Sequence, residues 1–174
     1  LKLDETTGSR GLAEGEQALI RKMRSYEEPT NAGIPTVGTT VEVSLPSTGV
    51  SLTFTGATPL GTSAGSGEAI HLVDATVEYA ERKELIDRFP ALFEDVEQGV
   101  HAFKRGVNEE RVRSEADDGL ADLFHRTLRY GGKGCLNAVD NVWQILAPSF
   151  EGRNVAALSL LEVDRTLLQL ELRT

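Results

Sequence analysis

Residues 129–150 read RYGGKGCLNAVDNVWQILAPSF, and how this stretch is read decides the fold. Gly131, Gly132 and Gly134 sit close together, so the backbone here can take shapes closed to other residues. Leu136, Val139, Val142, Trp143 and Leu146 then recur at three- and four-residue steps, which predicts a helix with one buried face. Pro148 is expected to end that helix after about three turns, because proline has no N–H for the hydrogen-bond ladder. Taken as residues alone, this is a glycine turn feeding a core helix. A phosphate-binding P-loop is excluded, because Gly134 rather than Ser or Thr follows Lys133 and the longer glycine spacing is missing.

Working outward, the 174 residues suit one domain with a real core, or one domain with insertions. Lys+Arg 18 against Asp+Glu 27 gives a net charge of −9. Such a surface repels nucleic acid and anionic membranes, and no local basic patch offsets it, so neither partner is expected. One cysteine, Cys135, excludes an internal disulfide and fits a reducing compartment. With no signal-peptide pattern and no bilayer-length apolar run, a cytoplasmic protein is expected. Met23 is the sole methionine, so Leu1 is not the expected start and the chain reads as a fragment.

Along the chain, residues 12–24 predict a helix through Leu12, Ala18, Leu19, Ile20 and Met23. Residues 25–38, with Pro29, Asn31, Gly33 and Pro35, predict a loop. Val41, Val43 and Leu45 alternate with polar residues, as do Val50, Leu52 and Phe54 after a Pro46-Ser47-Thr48-Gly49 turn. That predicts a β-hairpin with one face on a core. Residues 56–67 are a glycine-rich loop. In residues 75–128, Leu85, Ile86, Phe89, Leu92, Phe93, Val96, Val100 and Phe103 follow helical spacing, and Pro90 is expected to begin a new helix. Gly106 precedes a further helix carrying Val112, Leu120, Leu123 and Phe124. This segment holds 13 acidic and 8 basic residues, so it accounts for five of the nine net negative charges. It reads as a helical insertion with an acidic outer face. Residues 155–172 predict a last amphipathic helix.

The usual catalytic patterns are missing. His71, His101 and His125 form no His-x-x-x-His pair, so no zinc site is expected. There is no Gly-x-Ser-x-Gly elbow, EF-hand loop or Rossmann fingerprint. Two segments do carry a resemblance. Lys133, Gly134, Leu136, Ala138, Val139, Asn141, Val142, Ala147 and Pro148 stand as in the Gly-Lys-Gly helix of the enolase N-terminal domain. Pro59, Gly61, Ser63, Gly65, Glu68, Ala69 and Asp74 resemble, without a gap, that family's mobile catalytic loop. Ser9-Arg10-Gly11, Thr40-Val41-Glu42-Val43 and Val163-Asp164-Arg165 are similar to shorter family segments. Leu60 and Gly67 depart from the loop pattern, and the closing Asp-Gly-Thr is not kept.

The resemblance implies an α+β fold: a small antiparallel β-meander packed on a helical bundle, residues 1–174 as one domain, with helical insertions at 12–38 and 75–128. It implies that Ser63 helps hold the second magnesium ion and that Gly61 and Thr62 lie nearest the substrate. Hard oxygen ligands on a closing loop suit magnesium. It also implies that the carboxylates, base and acid for converting 2-phosphoglycerate to phosphoenolpyruvate lie in a barrel, so this chain holds no catalytic residue itself. Two functions follow as expectations: the lid domain of a glycolytic phosphopyruvate hydratase-like lyase, or a non-catalytic module that binds a protein partner or a second copy. Lys133 is read as structural.

Overall fold

The computed structural model describes residues 15–59, 73–115 and 118–171. It divides them into two units. The first takes the described residues up to Ser25, then Thr39–Gly56, then those from Asn141 onward; the second takes Tyr26–Gly38 and the described part of Ala57–Asp140.

A three-stranded antiparallel sheet, ordered β1-β2-β3, is formed by β1 (Leu19–Pro29), β2 (Pro35–Leu45) and β3 (Val50–Pro59). The expected helix at 12–24 is therefore a strand from Leu19 onward, and the expected loop at 25–38 is strand, tight turn and strand. Residues 12–14 lie outside the described residues. The turn closes where Thr30 N–H donates to the Ile34 carbonyl at 2.8 Å. In β1, Ile20, Met23 and Ser25 are buried while Arg21, Lys22 and Arg24 are exposed, so the alternation slips at Arg21–Lys22. The slip gives a strand the three-residue apolar step of a helix.

In the first unit, Ala18, Ile20, Met23 and Val43 pack with Val142, Ala147 and Phe150. Residues 151–155 run along β1: Ile20 N–H donates to the Arg153 carbonyl at 3.0 Å and Gly152 N–H to the Ile20 carbonyl at 2.8 Å. The helix that follows the glycine turn is interrupted: α4 (Leu136–Asn141) passes through a π turn (Val142–Leu146) into α5 (Ala147–Phe150). Pro148 thus lies inside the helical run rather than ending it. Its ring would collide with the carbonyl four residues back in a regular helix. The wider π turn, in which Ala147 N–H reaches back to the Val142 carbonyl, makes room for it. Val139 and Val142 are buried as expected, but Trp143 is half-exposed and donates its indole N–H to the Ser25 carbonyl at 3.0 Å. The last helix, α6 (Leu160–Glu171), carries Val163 against this core.

The second unit corrects the expectation of a helical insertion at 75–128. That segment makes β4 (Val77–Glu78), α1 (Tyr79–Arg88), β5 (Phe93–Glu97), β6 (Val100–Phe103), α2 (Glu109–Glu115) and α3 (Asp118–Leu128). The strands form a second sheet, β4-β6-β5, with Phe93 opposite Phe103 and a register shift between Asp95 and Glu97. Pro90 falls in a turn, not at a helix start. Val77, Ile86, Phe89, Leu92, Phe93, Val112, Leu120 and Phe124 make a separate core. Phe103 bridges it, 4.5 Å from Phe93 and edge-on to Phe124 at 5.1 Å between ring centres. The architecture is mixed α+β.

Candidate functional site

The second unit gathers its buried charge at the glycine turn. α3 carries Arg126 in its last turn, Arg129 follows directly after it, and the chain then folds sharply through Tyr130, Gly131 and Gly132, whose φ angles are 51°, 65° and 87°. This brings Arg129 back over the start of α4. Its guanidinium ion-pairs with Glu27 and lies 3.3 Å from Asp74 Oδ2. The carboxylates of Asp74 and Glu27 are 0% and 3% exposed. Buried carboxylates need partners, and here both are paired and hydrogen-bonded.

The first turn of α4 supplies those further bonds. Cys135 N–H donates to Glu27 Oε2 at 2.5 Å, and Asn137 N–H donates to Asp74 Oδ1 at 2.9 Å. Helix N-termini carry unpaired N–H groups and a positive dipole end, so carboxylates are favoured there. Asp74 N–H in turn donates to the Gly134 carbonyl at 2.8 Å. Asn137 Nδ2 reaches the Val73 carbonyl at 3.1 Å. Arg126 donates to Asn137 Oδ1 at 2.7 Å and to Asp140 Oδ2 at 2.9 Å. The cluster is a clamp: β1, the 73–76 segment, the end of α3 and the start of α4 meet on two carboxylates. Cys135 is fully buried beside it. Burial, then the hydrogen bond to Glu27, pushes its thiol up to about 12, so it is a protonated, inert packing group.

Gly61, Thr62 and Ser63, the expected substrate-loop and metal residues, lie outside the described residues, as do Ser9, Arg10 and Gly11. Lys133 is exposed in the turn. Asp74, matched in sequence only as the last residue of the loop pattern, is the centre of the clamp. Glu27, Arg126 and Arg129 were not singled out in the sequence. An acidic residue in an apparent proline-bounded loop gives no sign of burial, and Arg129 read as the margin of the glycine turn. Among the described residues no group of three or more His, Cys, Asp or Glu could hold a metal ion. The two buried carboxylates spend their oxygens on Arg129 and backbone N–H groups, so the described residues do not fit a magnesium ion. On the solvent face of the first sheet, Lys22, Arg24, Thr40, Glu42 and Thr53 line a shallow hollow. Its mixed charges select no ligand.

Fold and site together define a mixed α+β protein with a buried ion-paired clamp at a glycine turn. No protein-family model matches the chain, and no curated protein matches it. Among the described residues no helix is long and apolar enough to cross a membrane.

Proposed function

We propose that this chain is the lid domain of an enolase-like lyase, working with a barrel domain on 2-phosphoglycerate in glycolysis. The observation that carries the reading is the clamp. The two segments whose sequences resemble the family's loop and Gly-Lys-Gly helix are distant in the chain, yet they meet through Asp74, Gly134 and Asn137. A chance likeness in two segments gives no reason for them to bond to each other. In this reading the clamp fixes the end of the loop segment at Asp74, while Gly61, Thr62 and Ser63 serve the substrate and Ser63 the second magnesium ion. The barrel supplies the remaining ligands, the base and the acid, so the chain by itself is inactive.

The test is turnover of 2-phosphoglycerate by the full product of the encoding gene, followed by absorbance of the enol product. Magnesium-dependent turnover is expected, with Ser63→Ala lowering kcat about 100-fold, as misplaced reacting groups do. A full product without turnover refutes the reading, and so does turnover by the 174-residue chain alone. A second reading, a protein-binding module, is favoured by the exposed leucines of α6. Leu160, Leu161, Leu167 and Leu168 are 84%, 57%, 39% and 58% exposed.

A further inference from the structure

Among the described residues β3 is the open edge of the first sheet. The opposite edge, β1, is covered by the chain's own residues 151–155, with Leu19 bridging Asn154. Among the described residues β3 has a strand neighbour on its β2 side alone. Edge strands present unpaired N–H and C=O groups, and natural proteins guard them with lysine, other charges, bulges or short length. β3 is neither charged nor short. It spans ten residues, VSLTFTGATP, without a charged side chain, and Pro59 stands at its far end.

Its side chains are unguarded too. The hydroxyls of Thr40 and Thr55 lie 3.3 Å apart, so these two residues share the outer face. By alternation, Val50, Leu52 and Phe54 then share the inner face with Val41, Val43 and Leu45. Val43 is buried in the first core and Val41 and Leu45 pack against it. Val50, Leu52 and Phe54 nonetheless remain 45%, 44% and 57% exposed. The apolar face is continuous from the core to the sheet edge, and among the described residues nothing covers it there.

We propose that two copies of this chain pair through β3, antiparallel and about a two-fold axis, joining their sheets edge to edge. The strand is self-complementary. An antiparallel pairing centred on Leu52 sets Leu52 beside its own copy and Val50 beside Phe54, all on the inner face. Aromatic and β-branched pairs of this kind favour sheet pairing. On the outer face, Ser51 and Thr53 meet their counterparts. Charge argues for the same occupant. The chain carries −9, so two copies repel each other over most of their surface. From Val43 to Gly67 the sequence has no charged residue, and β3 lies within that span. β3 itself offers a charged peptide no counter-charge, whereas a second β3 finds matching backbone groups and no repulsion. The six half-exposed side chains offer on the order of 400 Å² to cover, a fraction of what a large aromatic can bury fully six times over. With the backbone ladder added, the contact falls below the roughly 1,200 Å² of a tight complex, so the dimer is weak and depends on concentration. This inference stands whether or not the lid reading holds.

Sedimentation equilibrium of the full chain over a wide concentration range tests it. A reversible monomer–dimer equilibrium is expected. Thr53→Glu places like charges near one another across the pairing, and in the monomer the new carboxylate joins a hollow lined by Lys22 and Arg24 as well as Glu42. It should weaken association about tenfold or more, with an unchanged far-ultraviolet circular dichroism spectrum. Leu161→Lys with Leu168→Lys, on α6, should leave association unchanged. Three results overturn the proposal: a monomer at every concentration, which leaves the face to another protein; a dimer indifferent to Thr53→Glu; or a dimer abolished by the α6 changes. If Thr53→Glu fails to fold, a spin label on Ser51→Cys decides, since pairing predicts a short label-to-label distance and its absence refutes pairing.

Discussion

Gly134 has no room for a methyl group. A Cβ there would lie 2.5 Å from Asp74 Oδ2, 3.2 Å from its Cγ and 3.3 Å from Arg129 Cβ. The carboxylate cannot retreat without leaving Arg129 and the Asn137 N–H, and removing one partner from a buried ion pair is far costlier than the pair is worth intact. Gly134→Ala is therefore expected to destabilise the protein by about 2–4 kcal/mol. Gly131→Ala meets nothing within 4 Å and bears only the strain of φ 65°, about 1 kcal/mol. Urea unfolding of the two variants checks the contrast, and equal losses would show that the clamp is not tight. The sequence marked Gly134 as a turn residue and Asp74 as a loop residue, each correctly in kind. It did not reveal that each exists for the other, because a contact between residues 60 positions apart leaves no local pattern. Glu27 was hidden for the same reason.

At the scale of elements, the last helix, expected over residues 155–172, runs only from Leu160 to Glu171, because residues 155–157 form a separate 3-10 turn and a capping box sets the start of α6. Ser159 and Glu162 form a capping box: Glu162 N–H donates to Ser159 Oγ at 3.2 Å, and Ser159 N–H donates back to Glu162 Oε2 at 2.8 Å. The backbone and hydroxyl bonds from Ser159 hold the Glu162 carboxyl below its ordinary value. A carboxyl lowered in the folded state contributes stability above its unfolded pKa and loses it as pH falls through the folded one. Helix content of α6 should thus decline on acidification below the ordinary glutamate range. Ser159→Ala should cost about 1 kcal/mol and flatten that acid dependence, as read by circular dichroism against pH. An unaltered acid profile in Ser159→Ala would assign the decline to other carboxyls. Elsewhere elements were misread for a physical reason. Ile20 and Met23 stand three apart because β1 slips at Arg21–Lys22, and Phe93, Val96, Val100 and Phe103 mimic a helix because β5 and β6 shift register between Asp95 and Glu97. An irregular strand and a regular helix print the same apolar spacing.

For the whole molecule, the chief departure from the sequence reading is the second core. Residues 75–128 were expected as helices decorating a single domain, but they enclose their own apolar cluster. Composition could not distinguish these cases, since an apolar side chain looks alike in a core and on an open edge. Leu92 and Phe54 make the comparison sharp. Leu92 is 0% exposed between α1 and β5, and its backbone is tied in as well, accepting from Lys104 N–H at 2.8 Å. Phe54, the larger side chain, is 57% exposed on β3. Leu92→Ala removes buried methyl groups and leaves a cavity, at a cost of about 2–5 kcal/mol. Phe54→Ala removes mostly solvated surface and should cost the monomer under about 1 kcal/mol, while weakening association. Unfolding at dilution, where any dimer has dissociated, separates the two effects. Hydrogen exchange should then place the loss from Leu92→Ala in the amides of α1, β5, β6 and α3. A Leu92→Ala cost no larger than that of Phe54→Ala would mean that residues 75–128 form no core of their own.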